Sequence, residues 1–157
     1  MLNTILSKMT CADCRYCCVF DASDLWEMPL LDAETQKVAA AALPDARFTS
    51  NGEDWLFQIA APHGEDTVEC PAHTDHGCAL GEKAPFECRL WPMRVMRFAG
   101  RKVIALSPNC ETIAGMPVGK VAKCARGLAQ KIFAYAAAHP SVVKEYRPEY
   151  VILVTEE

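Results

Sequence analysis

The chain lacks any long apolar run: runs such as Val38 to Leu43 fall far short of a bilayer span. It is also poor in basic charge. The net charge of −4 offers no footprint for nucleic acid, and no block of like charge suggests a tail. No glycine-rich phosphate loop, G-x-S-x-G or HExxH is present, so the familiar nucleotide, serine-hydrolase and zinc-protease signatures are absent. Residues 1–10 carry one lysine and no stretch of signal-peptide length, which makes the cytoplasm the expected location. There is no internal repeat and no low-complexity segment. At 157 residues the chain suffices for one domain with its own core.

What the chain has in excess is cysteine, nine in all. An odd number leaves at least one thiol over in any disulfide scheme, and stable disulfides are rare in the cytoplasm. Four lie in the stretch CADCRYCC, where Cys11, Cys14 and Cys17 are each separated by two residues. That spacing lets a turn wrap several thiolates around one metal or cluster. Thiolate-rich sites select zinc or iron–sulfur over hard cations. Cys18 complicates the picture, because adjacent residues on a helix point about 100° apart. Cys17 and Cys18 therefore suit two sites, or two atoms of a polynuclear cluster, better than one ion.

Further thiols follow at Cys70, Cys78, Cys88 and Cys110. With Cys11, Cys14, Cys17 and Cys18 they form the candidate ligand set, enough for two four-cysteine sites or one cluster with spare ligands. Cys124 is left over as a helix-packing residue. His73 and His76 are read as loop residues, with ligation an alternative. Arg15 and Arg89, each beside a cysteine, are placed to offset thiolate charge.

The secondary-structure signals are uneven. Ser23 and Asp24 cap a short helical turn stopped by Pro29, and Asp32 caps a helix over 33–43 closed by Pro44. Ser50-Asn51-Gly52 marks a turn before a strand at 55–59. Residues 61–92 show little periodicity, many turn formers, three cysteines and the histidines at 63, 73 and 76. So long a loop with few apolar anchors needs something to organise it, and a metal would. Residues 93–106 predict a hairpin around an Ala99-Gly100-Arg101-Lys102 turn. Apolar spacing predicts a helix over 118–138, and 150–154 predicts a last strand.

With these residues in view, the sequence resembles the YkgJ-like CxxCxxCC cysteine-cluster family, described as a zinc- or iron-chelating domain. CADCRYCC matches its hallmark, and Cys70 with His73 resembles its cysteine followed three residues on by histidine. CALGEKAPFECRLWP is similar to its C-x-I-Y-x-x-R-P-x-x-C-R-x-[FY]-P segment at Cys78, Pro85, Cys88, Arg89 and Pro92. A later family cysteine resembles Cys110. The departures are Gly81 for tyrosine, Ala84 for arginine and Trp91 for phenylalanine or tyrosine, none of them a thiolate.

The expectation is a single small α+β domain over 1–157, with helices, a short antiparallel hairpin and a metal-organised cysteine-rich lobe. The expected cofactor is an iron–sulfur cluster, favoured by CxxCxxC with its extra cysteines, or zinc, which the histidine-bearing loop also suits. The role would be redox, metal sensing, or transfer of metal or electrons to a protein partner, with no nucleic acid and no membrane. A metal-dependent enzyme with an open coordination position and a metal-free thiol redox module are the alternatives.

Overall fold

The structure, a computed structural model, describes residues 1–2, 5–6, 12–61 and 65–157. Cys11 and His63 lie outside the described residues. The fold is α+β with short sheets, and the chain gathers into two compact units, Lys8–Arg89 and Met1–Ser7 with Leu90–Glu157.

In the first unit, strand β1 (Val19–Asp21) follows a tight 3-10 turn at Tyr16–Cys18. The Asp24 carboxylate accepts the Trp26 N–H at 3.0 Å, capping the expected turn at Leu25–Glu27. Helix α1 (Ala33–Ala42) starts at Asp32, whose carboxylate accepts the Thr35 N–H at 2.7 Å. Strands β2 (Phe48–Asn51) and β3 (Asp54–Phe57) pair as a hairpin, with Gly52 at a φ of 67° in its turn. Leu31 bridges Trp55 through two backbone bonds of 2.8 Å, fixing the entry of α1 against β3. Strand β4 (Thr67–Glu69) pairs antiparallel with β1, and β5 (His73–Thr74) pairs with β6 (Gly77–Cys78). Helix α2 (Phe86–Leu90) follows after Pro85.

The core of this unit holds Met28, Leu31, Ala39, Phe57, Ala72, Leu80 and Ala84. The few apolar anchors expected in 61–92 lie in this core. Ala72, Leu80 and Ala84 hold the region, and irregular backbone hides them from any periodic search. Leu80 is 5% exposed. Leu80→Ala is expected to cost about 3 kcal/mol, as for other buried leucines, read as a lower denaturation midpoint of the metal-free chain. An unchanged midpoint would mean that the side chain contributes no packing.

The second unit is built on the hairpin of β7 (Met93–Phe98) and β8 (Arg101–Leu106). Its loop is tighter than expected: Ala99 and Gly100 alone make it, at φ of 48° and 79°, while Arg101 and Lys102 are already strand. Two consecutive positive φ values match the right-handed twist of the strands. A short helix α3 (Glu111–Ala114) precedes α4 (Val118–Ala138), which carries the predicted apolar face. Val121, Ala125, Ile132 and Ala136 are buried, but Val118 is 60% exposed. Strands β9 (Lys144–Glu145) and β10 (Val151–Thr155) complete a sheet in the order β10-β8-β7-β9, with only β9 parallel to its neighbour. No helix among the described residues is long and apolar enough to cross a membrane.

Candidate metal centre

The thiols of Cys17, Cys70, Cys78 and Cys88 lie close enough for their ionised forms to repel one another in every pairing. They come from four local structures. Cys17 sits in the 3-10 turn entered through Arg15, which is left-handed at a φ of 58°. Cys70 follows β4, Cys78 ends β6, and Cys88 lies in α2. The Cys70 N–H donates to the Cys18 carbonyl at 2.7 Å, continuing the β1–β4 ladder and drawing the CADCRYCC stretch alongside Cys70.

Two of the thiols share one local design. The Cys70 sulfur accepts from the N–H groups of Ala72 and His73, and the Cys78 sulfur from those of Leu80 and Gly81. Both donors stand two and three residues after the cysteine, so each turn folds its own amides onto its own sulfur. Pro71 presets the first turn. Gly81, at a φ of 54°, adopts a left-handed backbone that side-chain-bearing residues avoid. In each turn the residue two after the cysteine, Ala72 or Leu80, buries its side chain in the core. The amides that solvate the sulfurs are thereby held by packing. Backbone N–H donors favour the thiolate form.

Opposing them, burial pushes the Cys70 thiol up to about 11, with Cys78 and Cys17 adding like-charge repulsion. Burial also raises Cys78, and raises Cys88 well above the ordinary thiol value, with repulsion from Cys70, Cys78, Cys17 and Glu87 behind it. Cys78 and Cys88 retain accessible surface, although protein crowds both thiols. The protein packed around these thiols disfavours their charged forms. Buried Glu87 is fixed by accepting the Leu30 N–H at 2.7 Å.

No disulfide joins any of the eight described cysteines. Among the described residues, no three His, Cys, Asp or Glu side chains are already posed as a metal cage. Cys14 is exposed, Cys18 half-buried, and neither belongs to the mutually interacting four. Cys110 is buried at the start of α3 in the other unit, and Cys124 is half-buried on α4. Arg15 makes an exposed ion pair with Asp75 at 3.0 Å. His73 Nε2 and Arg89 Nε are buried without a hydrogen-bond partner. The paired amide donors were not legible in the sequence, although Cys-Pro and the glycine after Cys78 are the signals that mark such turns.

No protein-family model matches the chain, and no curated protein or solved structure matches it either.

Proposed function

We propose that the protein is a metal-binding protein in which Cys17, Cys70, Cys78 and Cys88 hold an iron–sulfur cluster or zinc through four thiolates. The single observation that carries the reading is the mutual proximity of these four thiols, drawn from four separate local structures. Burial and mutual repulsion keep these thiols protonated in the metal-free chain, and a bound cation would favour their thiolate forms. Thiolates select a soft cation. Amide donors on two of the sulfurs suit the same purpose, since hydrogen bonds to sulfur tune thiolate-bound centres.

The resemblance to the YkgJ-like family belongs to this proposal and rests on the cysteines with His73, Pro85, Arg89 and Pro92 in register. Four thiolates close a tetrahedral shell and leave no position for a substrate, which favours a bracing or electron-handling centre over an open catalytic one. A cluster would supply one-electron chemistry, and zinc would supply structural stability.

Anaerobic purification of the full chain, with absorption spectroscopy and analysis of iron, sulfide and zinc, tests the proposal. The expected result is one centre per chain, with thiols masked until chelation or oxidation releases them. A chain with every thiol reactive, and no uptake of zinc or of iron with sulfide, would reject it in favour of a metal-free redox module.

A further inference from the structure

The bonding between β1 and β4 runs one step past their last paired residues. Val19 stands opposite Glu69, and beyond that pair the Cys70 N–H donates to the Cys18 carbonyl at 2.7 Å. Two cysteines distant in sequence are thus joined by a backbone hydrogen bond, and the bond limits their separation. A carbonyl oxygen lies about 2.4 Å from its own Cα, and an amide nitrogen about 1.46 Å from its own. Even with every atom in line, the two Cα atoms stand no more than about 6.6 Å apart. Disulfides span Cα separations of about 4.4–6.8 Å. The backbone therefore already holds this pair at bridging distance. Both residues are half-buried, and each is a free thiol. Cys18 is also the member of the Cys17-Cys18 doublet that the gathered four leave over.

We propose that Cys18 and Cys70 form a reversible disulfide when the chain meets a small-molecule disulfide such as oxidised glutathione. The Cys18 thiolate attacks one sulfur of the small disulfide, whose S–S bond breaks and releases one small thiol. The Cys70 thiolate then attacks Cys18 Sγ in the mixed disulfide and releases the second. The protein gives up two electrons and two protons, and both leave on the two small thiols. The new bond closes a loop of about fifty residues and ties β1 to β4 covalently. It requires no metal, so it stands apart from the four-thiolate reading. Where that reading holds, the same bond withdraws Cys70 from the shell and makes the site responsive to oxidation.

The test incubates the full chain, with a chelator present, at rising ratios of oxidised to reduced glutathione. Mass spectrometry of unreduced tryptic peptides should then show segment 16–37 linked to segment 48–83, and dithiothreitol should separate them. The link should persist in Cys17→Ser and in Cys78→Ser, and be lost in Cys18→Ser and in Cys70→Ser. No link in wild type at any ratio would overturn the proposal. So would a link that survives in Cys18→Ser, or one that is lost in Cys17→Ser or Cys78→Ser, since each outcome assigns a different pair. Should Cys70→Ser fail to fold, Cys18→Ser and Cys18→Ala, which leave Cys70 in place, carry the comparison.

Discussion

Replacing Cys88 with alanine is expected to empty the site, whereas replacing Cys14 leaves it filled. Cys88 interacts with all three of the other gathered thiols and is the most strongly desolvated of them. Its loss removes one of the four donors of the proposed shell. Zinc affinity should fall by more than about a hundredfold, beyond the range seen for outer-shell changes, and metal analysis of the purified variant should find little or none. Cys70→Ala should behave alike. Cys14 matches the cysteine spacing but is not among the thiols that perturb Cys70, Cys78 and Cys88, so Cys14→Ala should retain full occupancy. Cys124→Ala, on the opposite unit's long helix, should cost only ordinary packing energy. Equal metal content in Cys88→Ala and Cys14→Ala would overturn the assignment of the four.

Metal affinity is expected to climb steeply with pH. Cys70, Cys78 and Cys88 all have thiols raised above the ordinary value, so near neutrality each is protonated in the metal-free fold. Binding as thiolates must expel those protons, and the ion competes with each one. The logarithm of affinity should therefore rise with a slope of about three or more per pH unit below the thiol range. Calorimetry in buffers of different ionisation enthalpy counts the released protons directly, and a count near zero would contradict the protonated state. The metal-free fold behaves oppositely. A thiol raised from about 9 to about 11, as at Cys70, contributes stability that is complete below pH 9 and disappears as pH rises through 11. Stability of the metal-free chain should thus decline over that interval by about 3 kcal/mol for this thiol. A metal-loaded chain, already deprotonated at these sulfurs, should show little of the decline.

The sequence reveals those parts of the fold whose physics is local. The helix over 118–138 is legible because its apolar residues recur at helical spacing, and α1 because Asp32 caps it and Pro44 closes it. The 93–106 hairpin is legible from alternating apolar residues, but its turn is misjudged. Nothing in Ala99-Gly100-Arg101-Lys102 reveals that two residues suffice until the register of Phe98 with Arg101 is known. The thiols are individually conspicuous. Which four gather depends on the pairing of β1 with β4 and on the placing of Cys88 in α2, both long-range facts. Ala72 and Ala84 escape notice for another reason: small residues in irregular backbone carry no period, though both are buried in the core.

The β1–β4 ladder is only three residues long on each strand, and Phe20 opposite Val68 is its sole buried pair. That pair, with the Ala22 N–H bonded to the Asp66 carbonyl at 2.8 Å and the Cys70 N–H to the Cys18 carbonyl at 2.7 Å, sets the register. A shift by one residue turns every side chain to the other face, which would carry Cys17 away from Cys70 and strand three sulfurs without their fourth. A bound ion would further penalise that slip, because a misaligned ribbon cannot complete the shell. In this protein the metal would then serve as an alignment check on the chain, rewarding one pairing of two distant segments over its neighbours.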